Sequence, residues 1–293
     1  MNEELRRRLI EAQRNEITEH EVYQRLSRRQ KDGHNRDVLR RIGDEEKRHY
    51  DFLAEHTGAT PPPRRLKVWK FDLIARLLGV TFAIKLMEAG EQDAQDNYTD
   101  AAADVPGLAE IAREEDEHEH ALTQMIDEDR LRYVGSVVLG LSDALVELLG
   151  ALAGLTLALR DSRLIAVVGL ITGIAAAMSM AASEYLSTRH ERDDTDEKPK
   201  SPVRAALYTG LAYILTVAVL VAPFLLLSQP VVALAVAVAS VLIIISAFTY
   251  YVSVAQELPF ARRFAEMAGL SLGVAAVSFG IGYLVRLGLG VDV

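Results

Sequence analysis

Residues 133–159 read YVGSVVLGLSDALVELLGALAGLTLAL, an almost uninterrupted apolar stretch that exceeds the roughly 20 residues a helix needs to cross a bilayer. Four more apolar stretches follow, at about residues 164–186, 204–227, 231–253 and 264–287. All five are long and continuous, which favours helices over strands. The sequence therefore predicts a membrane domain of five transmembrane helices that occupies residues 131–293.

Residues 1–130 have a different composition, since nearly every short window there contains Glu, Asp, Arg or Lys. Turn residues concentrate at 32–33, 61–63 and 106–107, and helix-forming residues dominate elsewhere. These breaks delimit four long segments, at about residues 2–31, 35–56, 67–103 and 108–129, with a further break near Gly79. Four amphipathic helices of this length predict a soluble four-helix bundle, so the predicted fold class of the whole chain is all-α.

The overall composition limits the chemistry of any bound group. The chain has no cysteine, which excludes disulfides, iron–sulfur clusters and thiolate metal sites. Carboxylate, imidazole and thioether groups are the remaining metal ligands. A formal net charge of -9 argues against nucleic acid as a partner and suits a protein that collects cations.

Charged connectors between the apolar stretches predict the orientation in the membrane. The connector after the second stretch, TRHERDDTDEKPKSPVR, is rich in Arg and Lys, and the connector before the fifth carries Arg262 and Arg263. The positive-inside rule places both in the cytoplasm, together with the amino-terminal domain. No apolar segment opens the chain, so we expect no cleavable signal. We therefore expect a multi-pass protein of the inner or plasma membrane.

The predicted soluble helices carry a regular set of acidic residues and histidines. Two Glu-x-x-His pairs, Glu46 with His49 and Glu115 with His118, each lie on one face of a helix, and Glu16 and Glu91 belong to the other two helices. One Glu from each of two helices and a Glu-x-x-His from each of the other two is the ligand pattern of di-iron carboxylate bundles. Carboxylates and imidazoles suit both ferrous and ferric iron, and they suit Mn²⁺ equally.

The segments NEITEHEVY, EEKRHYDFL, MEAGEQDAQDNY and EEDEHEHAL resemble the ligand-bearing helices of rubrerythrin and ferritin-like proteins. This resemblance implies a di-iron site with the following ligands: Glu16, Glu46, His49, Glu91, Glu115 and His118, with Glu88 as an additional one. Two alternatives stay open, because Glu19 lies one turn from Glu16, and Glu117 with His120 repeats the spacing of Glu115 with His118.

Four polar or soft residues interrupt the first two apolar stretches. Asp143 and Glu147 lie four residues apart in the first, and Met180 and Glu184 lie four apart in the second, so each pair shares a helix face. An isolated charge at the bilayer centre costs roughly 2.5–3.5 kcal/mol, so intramembrane carboxylates indicate an ion pathway. We predict that all four residues line a divalent-cation pathway.

The first stretch contains GLSDALV at residues 140–146, and the second contains Ser179-Met180 and Glu184-Tyr185. These motifs give the chain a resemblance to the vacuolar iron transporter family. It implies a homodimer that exchanges Fe²⁺ for protons, with Asp143 and Met180 in the pathway and Glu184 near its cytoplasmic mouth. The chain departs from members with a large metal-binding insert after the second span, because its connector there is short. As a whole, the chain looks like the membrane-bound ferritin proteins.

We therefore predict an iron exporter with an iron-collecting bundle. A membrane-anchored ferroxidase or peroxidase, in which the spans serve only as an anchor, is the alternative. The sequence does not separate Fe²⁺ from Mn²⁺ as the transported ion.

Overall fold

The computed structural model describes residues 3–88, 105, 107–124, 133–191, 200–256 and 258–289. Within these ranges every regular element is a helix, which confirms the predicted all-α class. The chain divides into two compact units, residues 1–128 and 129–293. We call them the soluble unit and the membrane unit.

The soluble unit contains five described helices. They are α1 (Glu3–Arg29), α2 (Gly33–Thr57), α3 (Arg65–Leu78), α4 (Val80–Glu88) and α5 (Leu108–Gln124). The predicted break in the third segment is present at Gly79, whose φ of 106° ends α3 before α4 begins. Residues 89–104 lie outside the described ranges, so the ferritin-like arrangement of four helices stays a prediction.

The buried metal-ligand candidates of the soluble unit form a polar layer between two apolar clusters. One cluster contains Leu9, Leu53, Val105, Leu108 and Ile111, and the other includes Val22, Leu26, Leu39, Ile42 and Leu122. On α1, α2 and α5 the predicted metal ligands come between the residues of these two clusters in sequence. Apolar packing on both sides therefore fixes the helices that carry the polar layer.

The start of α5 depends on a glycine. Gly107 adopts a φ of +102°, and a Cβ at this position would lie 2.7 Å from the Phe52 ring. Only glycine combines this backbone conformation with such a close approach. The turn at Gly107 thereby sets where α5 begins and which of its side chains face α2.

A buried ion pair ties α3 to α1. Arg29 Nε donates to Asp72 Oδ1 at 2.7 Å, and Arg76 lies 3.0 Å from the other carboxylate oxygen. The Asp72 side chain is only 10% exposed. Burial opposes ionisation of this group, but the guanidinium of Arg29, aided by that of Arg76, holds the pKa of Asp72 below its usual value.

We predict that Asp72→Asn lowers the stability of the soluble unit by about 1–2 kcal/mol near neutral pH. Because the folded-state pKa lies below the unfolded value of about 3.9, this contribution is present above that pH and disappears as the pH falls through the folded value. Hydrogen exchange of the α3 backbone amides, compared with the wild-type protein at each pH, reports unfolding of this unit. An equal loss at every pH would contradict the assignment.

In its described residues, the membrane unit has five helices that are long and apolar enough to cross a bilayer. They are α6 (Val134–Leu159), α7 (Ser162–Glu191), α8 (Pro202–Leu226), α9 (Pro230–Gln256) and α10 (Phe260–Leu289). The predicted number of spans is confirmed. One feature was not predicted: α6 contains a π-helical segment at Ala144–Leu148, immediately after Asp143.

Helices α6 and α8 pack backbone to backbone at Gly140. A Cβ on this residue would lie 2.3 Å from the carbonyl oxygen of Thr209, so no side chain fits there. Small residues at such crossings let membrane helices approach closely. This crossing lies one turn before Asp143 and thus positions its part of α6 against α8.

We predict that Gly140→Ala destabilises the membrane unit by about 1–3 kcal/mol, because the added methyl group must push α6 away from α8. Gly135→Ala is the matched control, since nothing lies within 4 Å of a Cβ built there. Thermal unfolding in detergent, followed by circular dichroism, measures both. Equal melting temperatures for the two variants would contradict the proposed crossing.

Candidate metal centre and intramembrane carboxylates

The structure brings together predicted ligands from three helices. Glu16 of α1, Glu46 and His49 of α2, and Glu115 of α5 each offer one ligand atom, and these atoms all lie within 4.8 Å of one another. The spacing of Glu46 and His49 places both on the same face of α2, and the turn at Gly107 sets the register of α5. This cluster is the candidate metal centre.

His49 directs its Nδ1 atom into the cluster. That atom lies 3.1 Å from Glu115 Oε1, 3.4 Å from Glu16 Oε2 and 3.6 Å from Glu46 Oε2. Carboxylates therefore surround one imidazole nitrogen on three sides. A cation among these atoms would contact oxygen and nitrogen together, the ligand set that suits iron and manganese.

His118 repeats this arrangement from the other side. Its Nδ1 atom lies 3.2 Å from Glu46 Oε1 and 3.6 Å from Glu115 Oε2. The two imidazole rings are stacked, with centroids 5.9 Å apart. Glu46 and Glu115 each present one oxygen to His49 and the other to His118, so the cluster has an approximate twofold symmetry. Two carboxylates placed in this way are able to bridge two cations.

Sequence reasoning missed the partners of the outer histidine nitrogens. Nε2 of His49 lies 2.8 Å from Glu114 Oε2, and Nε2 of His118 lies 2.7 Å from Glu45 Oε2. Metal-binding histidines usually donate their second N–H to such a carboxylate, which fixes the ring and leaves the other nitrogen for the metal. The signal was present, because both runs read Glu-Glu-x-x-His.

The cluster is buried and strongly perturbed electrostatically. Burial, followed by the charge of Glu46, raises the pKa of Glu16 well above its usual value. Burial opposes the charge on Glu46 as well, but its favourable contacts with the imidazoles of His118 and His49 outweigh this effect and lower the pKa of that carboxyl. Burial disfavours the protonated form of His118, yet its contacts to Glu115 and Glu46 raise the pKa of His118 to about 10. The carboxylates thus create a strong demand for positive charge.

Protein contacts alone leave this demand unsatisfied. Within the described part of the chain, the buried atoms Glu46 Oε2, His49 Nδ1 and His118 Nδ1 have no hydrogen-bond partner of good geometry. Buried polar atoms are almost always satisfied, so several unsatisfied atoms that point at one location need an explanation. A metal ion bound there would satisfy all three, and the residues present fit di-iron or di-manganese chemistry.

The structure also separates the alternatives that the sequence left open. Glu19 lies 3.3 Å from Lys67, outside the cluster, whereas Glu16 is within it. His118 is 4% exposed and faces the cluster, while the His120 side chain is 73% exposed and bonds the Asp116 carbonyl. The register of Glu115 with His118 is therefore the one that faces α2.

Two predicted ligands are not located by the structure. Glu91 lies outside the described residues. Glu88 is the last residue of α4, and its side chain is likewise not described. Their roles stay predictions.

The membrane unit holds the predicted carboxylates of α6 at the π-helical segment. Asp143 is half-buried, and its carboxyl group interacts with that of Glu147 and with the side chain of Tyr213 on α8. Glu147 itself is exposed. Segments of π-helix are frequent at functional sites, because the extra residue re-aims the side chains around it. Tyr213, which is fully buried, was not singled out from the sequence.

Glu184 of α7 is held by α6. Ser136 Oγ donates to Glu184 Oε1 at 2.6 Å, and Thr209 of α8 donates to the Ser136 carbonyl at 2.9 Å. Seven residues of α6, about 10 Å along a helix, separate Ser136 from Asp143. The two predicted carboxylates therefore occupy different depths. If Glu184 and Asp143 both belong to an ion pathway, that pathway has at least two separate binding sites for a cation or a proton.

Met180 lies one helical turn before Glu184 on α7. It is half-buried and packs against the apolar core of the membrane unit. The structure does not join it directly to Asp143. Its predicted role as a soft ligand is therefore not tested by any contact.

Five apolar helices in the described residues, with the predicted carboxyl groups on the first two, α6 and α7, define the class as a multi-pass helical membrane protein. Residues 134–199 match the VIT family model, so a domain of this family is present at α6, α7 and the following connector. The match supports a membrane transporter of metal ions such as iron or manganese. It covers less than half of the chain and does not include the soluble unit. No curated protein matches the chain.

We predict that His118→Ala weakens Mn²⁺ binding to the full-length protein by at least about tenfold, because it removes one of two imidazole ligands. His120→Ala is the matched control, two residues away on the same helix. Equilibrium dialysis in detergent under oxygen-free conditions measures Mn²⁺ and Fe²⁺ binding alike. Equal losses for both variants would contradict the assignment of His118, and not His120, as the ligand.

Proposed function

We propose that this protein is a transporter that exports Fe²⁺, and also Mn²⁺, from the cytoplasm through its membrane unit. The observation that carries the proposal is the placement of Asp143, which belongs to the matched VIT family domain and lies beside a π-helical segment and near Tyr213 of α8. An acidic group at such a depth has a large desolvation penalty in lipid, and this penalty is offset where a cation or proton is exchanged.

The soluble unit supports a role in iron capture. We propose that Glu16, Glu46, His49, Glu115 and His118 hold a di-iron site of ferritin-like type, with Glu91 and Glu88 as further ligands. The bound metal would supply redox and Lewis-acid chemistry there. The protein's own part is to hold the imidazoles through Glu45 and Glu114 and to exclude water with the two apolar clusters.

The pathway through the membrane unit would use carboxylates in sequence. Glu184, which Ser136 orients, receives the ion at the cytoplasmic side, and Met180 adds a soft ligand one turn deeper. Asp143 and Glu147 form the next position. Each has few ligands, which keeps the affinity modest enough for the ion to leave again.

The proposed coupling is antiport with protons, and the proposed assembly is a homodimer. A carboxylate such as Asp143 alternates between a proton and a metal ion, so the two fluxes run in opposite directions through the same group. We place the protein in the inner or plasma membrane with its amino-terminal domain in the cytoplasm, because the basic connectors favour that side. Antiport and the homodimer rest on sequence resemblance, and the orientation rests on the charge distribution.

We predict that Asp143→Asn reduces Fe²⁺ flux in proteoliposomes by at least about tenfold, because the amide neither binds the cation well nor exchanges a proton. Asp161→Asn is the matched control. Asp161 caps the start of α7 by accepting from the Leu164 N–H, and asparagine caps equally well. Metal flux and proton flux are recorded with separate fluorescent indicators.

Normal flux in Asp143→Asn would overturn the proposed pathway. The same preparations distinguish a membrane-anchored ferroxidase from a transporter. In the ferroxidase, His118→Ala would abolish ferrous oxidation, and no variant in α6 would alter any activity. In a transporter fed by the soluble unit, variants in α6 and in the soluble unit both change the flux. His118→Ala then lowers flux at scarce iron but leaves it normal at saturating iron.

A further inference from the structure

Helix α3 presents an apolar stripe to solvent, opposite to the face that it buries. The stripe consists of residues at helical spacing, namely Leu66, Trp69, Leu73 and Leu77. Leu66 is 83% exposed, Trp69 60% and Leu77 66%. The opposite face carries Val68, Phe71 and Ala75, which are buried in the soluble unit. An apolar stripe on a face that the unit's own core does not use indicates a surface for another partner.

Basic residues border this stripe. Arg65, Lys70 and Arg76 are exposed on α3, and the one acidic residue of the helix, Asp72, is engaged by arginines. Beside it, an open cavity of about 470 Å³ is lined by Arg25, Arg28, Arg29, Arg76 and Asp72. Four guanidinium groups and one carboxylate line the cavity, and a second carboxylate, Glu21, lies 3.9 Å from Arg25. The cavity therefore keeps an excess of positive charge in a chain whose formal net charge is -9.

The charges distinguish between the two plausible occupants of the stripe. A second copy of the chain would bring the same basic border against itself, and the exposed face of α3 offers no acidic side chain to offset the repulsion. A bilayer surface with anionic phospholipids offers both required parts. Its acyl boundary accepts Trp and Leu, and its phosphate groups attract Arg and Lys.

Covalent linkage makes weak docking sufficient. Only residues 125–133 separate α5 from the first membrane span, α6. The soluble unit is therefore always close to a bilayer surface, at a high effective concentration. A contact that would be too weak for a free protein is enough for a tethered one.

We propose that the outward stripe of α3 docks on the surface of an anionic phospholipid bilayer, with lipid phosphate groups in the neighbouring arginine cavity. Leu66, Trp69 and Leu77 enter the boundary between head groups and acyl chains. Arg25 and Arg28 face the head groups, while Arg29 and Arg76 remain paired with Asp72. The inference is independent of metal binding and of transport.

The single tryptophan of the chain provides the test, because Trp69 lies in the stripe. The full-length protein is placed in nanodiscs of phosphatidylcholine with or without phosphatidylglycerol. We expect blue-shifted Trp69 emission, with quenching by brominated acyl chains, in the anionic discs only. High salt should weaken the shift, since it screens the arginines.

Two sets of variants test the two parts of the surface. Arg25→Gln with Arg28→Gln should lower the docked-to-undocked ratio about fivefold for each charge removed, and Leu66→Gln with Leu77→Gln should abolish the shift. Arg7→Gln with Arg40→Gln is the control, because it removes the same charge from exposed positions elsewhere on the soluble unit. The melting temperature verifies that each variant is folded.

Other outcomes would overturn the proposal. Emission typical of exposed tryptophan in both kinds of disc would show that the stripe does not dock. A shift of equal size in neutral discs would point to a second copy or another protein surface. If inorganic phosphate alone reproduced the shift in neutral discs, the arginine cavity would bind a soluble anion and not a lipid head group. An equal effect of the control pair would show that only net charge matters.

Discussion

The burial of several carboxyl groups and two imidazoles in one layer is the constraint on which the soluble unit depends. Like charges at these distances repel one another, and burial strengthens that repulsion. The histidines offset part of it, but Glu46, His49 and His118 still have unsatisfied buried atoms among the described residues. Apolar clusters above and below the layer hold the helices in place against this repulsion. The arrangement is therefore poised for a cation.

The membrane unit meets a related constraint in a different solvent. Its carboxyl groups are distributed along α6 and α7 and are not gathered in one cluster, and polar side chains from neighbouring helices engage two of them. A gathered cluster suits tight binding, whereas separated groups suit passage, because an ion must leave each position. This contrast supports capture in the soluble unit and movement in the membrane unit as complementary roles for one class of metal ion.

Much of the architecture follows from elementary patterns in the sequence. Five spans were predictable because bilayer thickness sets their length, and the meeting of Glu46, His49 and Glu115 was expected because Glu-x-x-His fixes two groups on one helix face. Other contacts between helices were not predicted, since they depend on the register of one helix against the next. Glu45 and Glu114 therefore emerged only from the structure, as did the bond between Ser136 and Glu184. The π-helical segment has no signature in an unbroken apolar stretch.

Anomalous X-ray scattering from crystals grown with Fe²⁺ or Mn²⁺ tests the central claim most directly. The account predicts two peaks at the metal's absorption edge, one beside Nδ1 of His49 and one beside Nδ1 of His118, with Glu46 and Glu115 between them. The account would be contradicted if crystals grown with saturating metal showed no anomalous density at these positions. The carboxyl groups would then be protonated or joined by water.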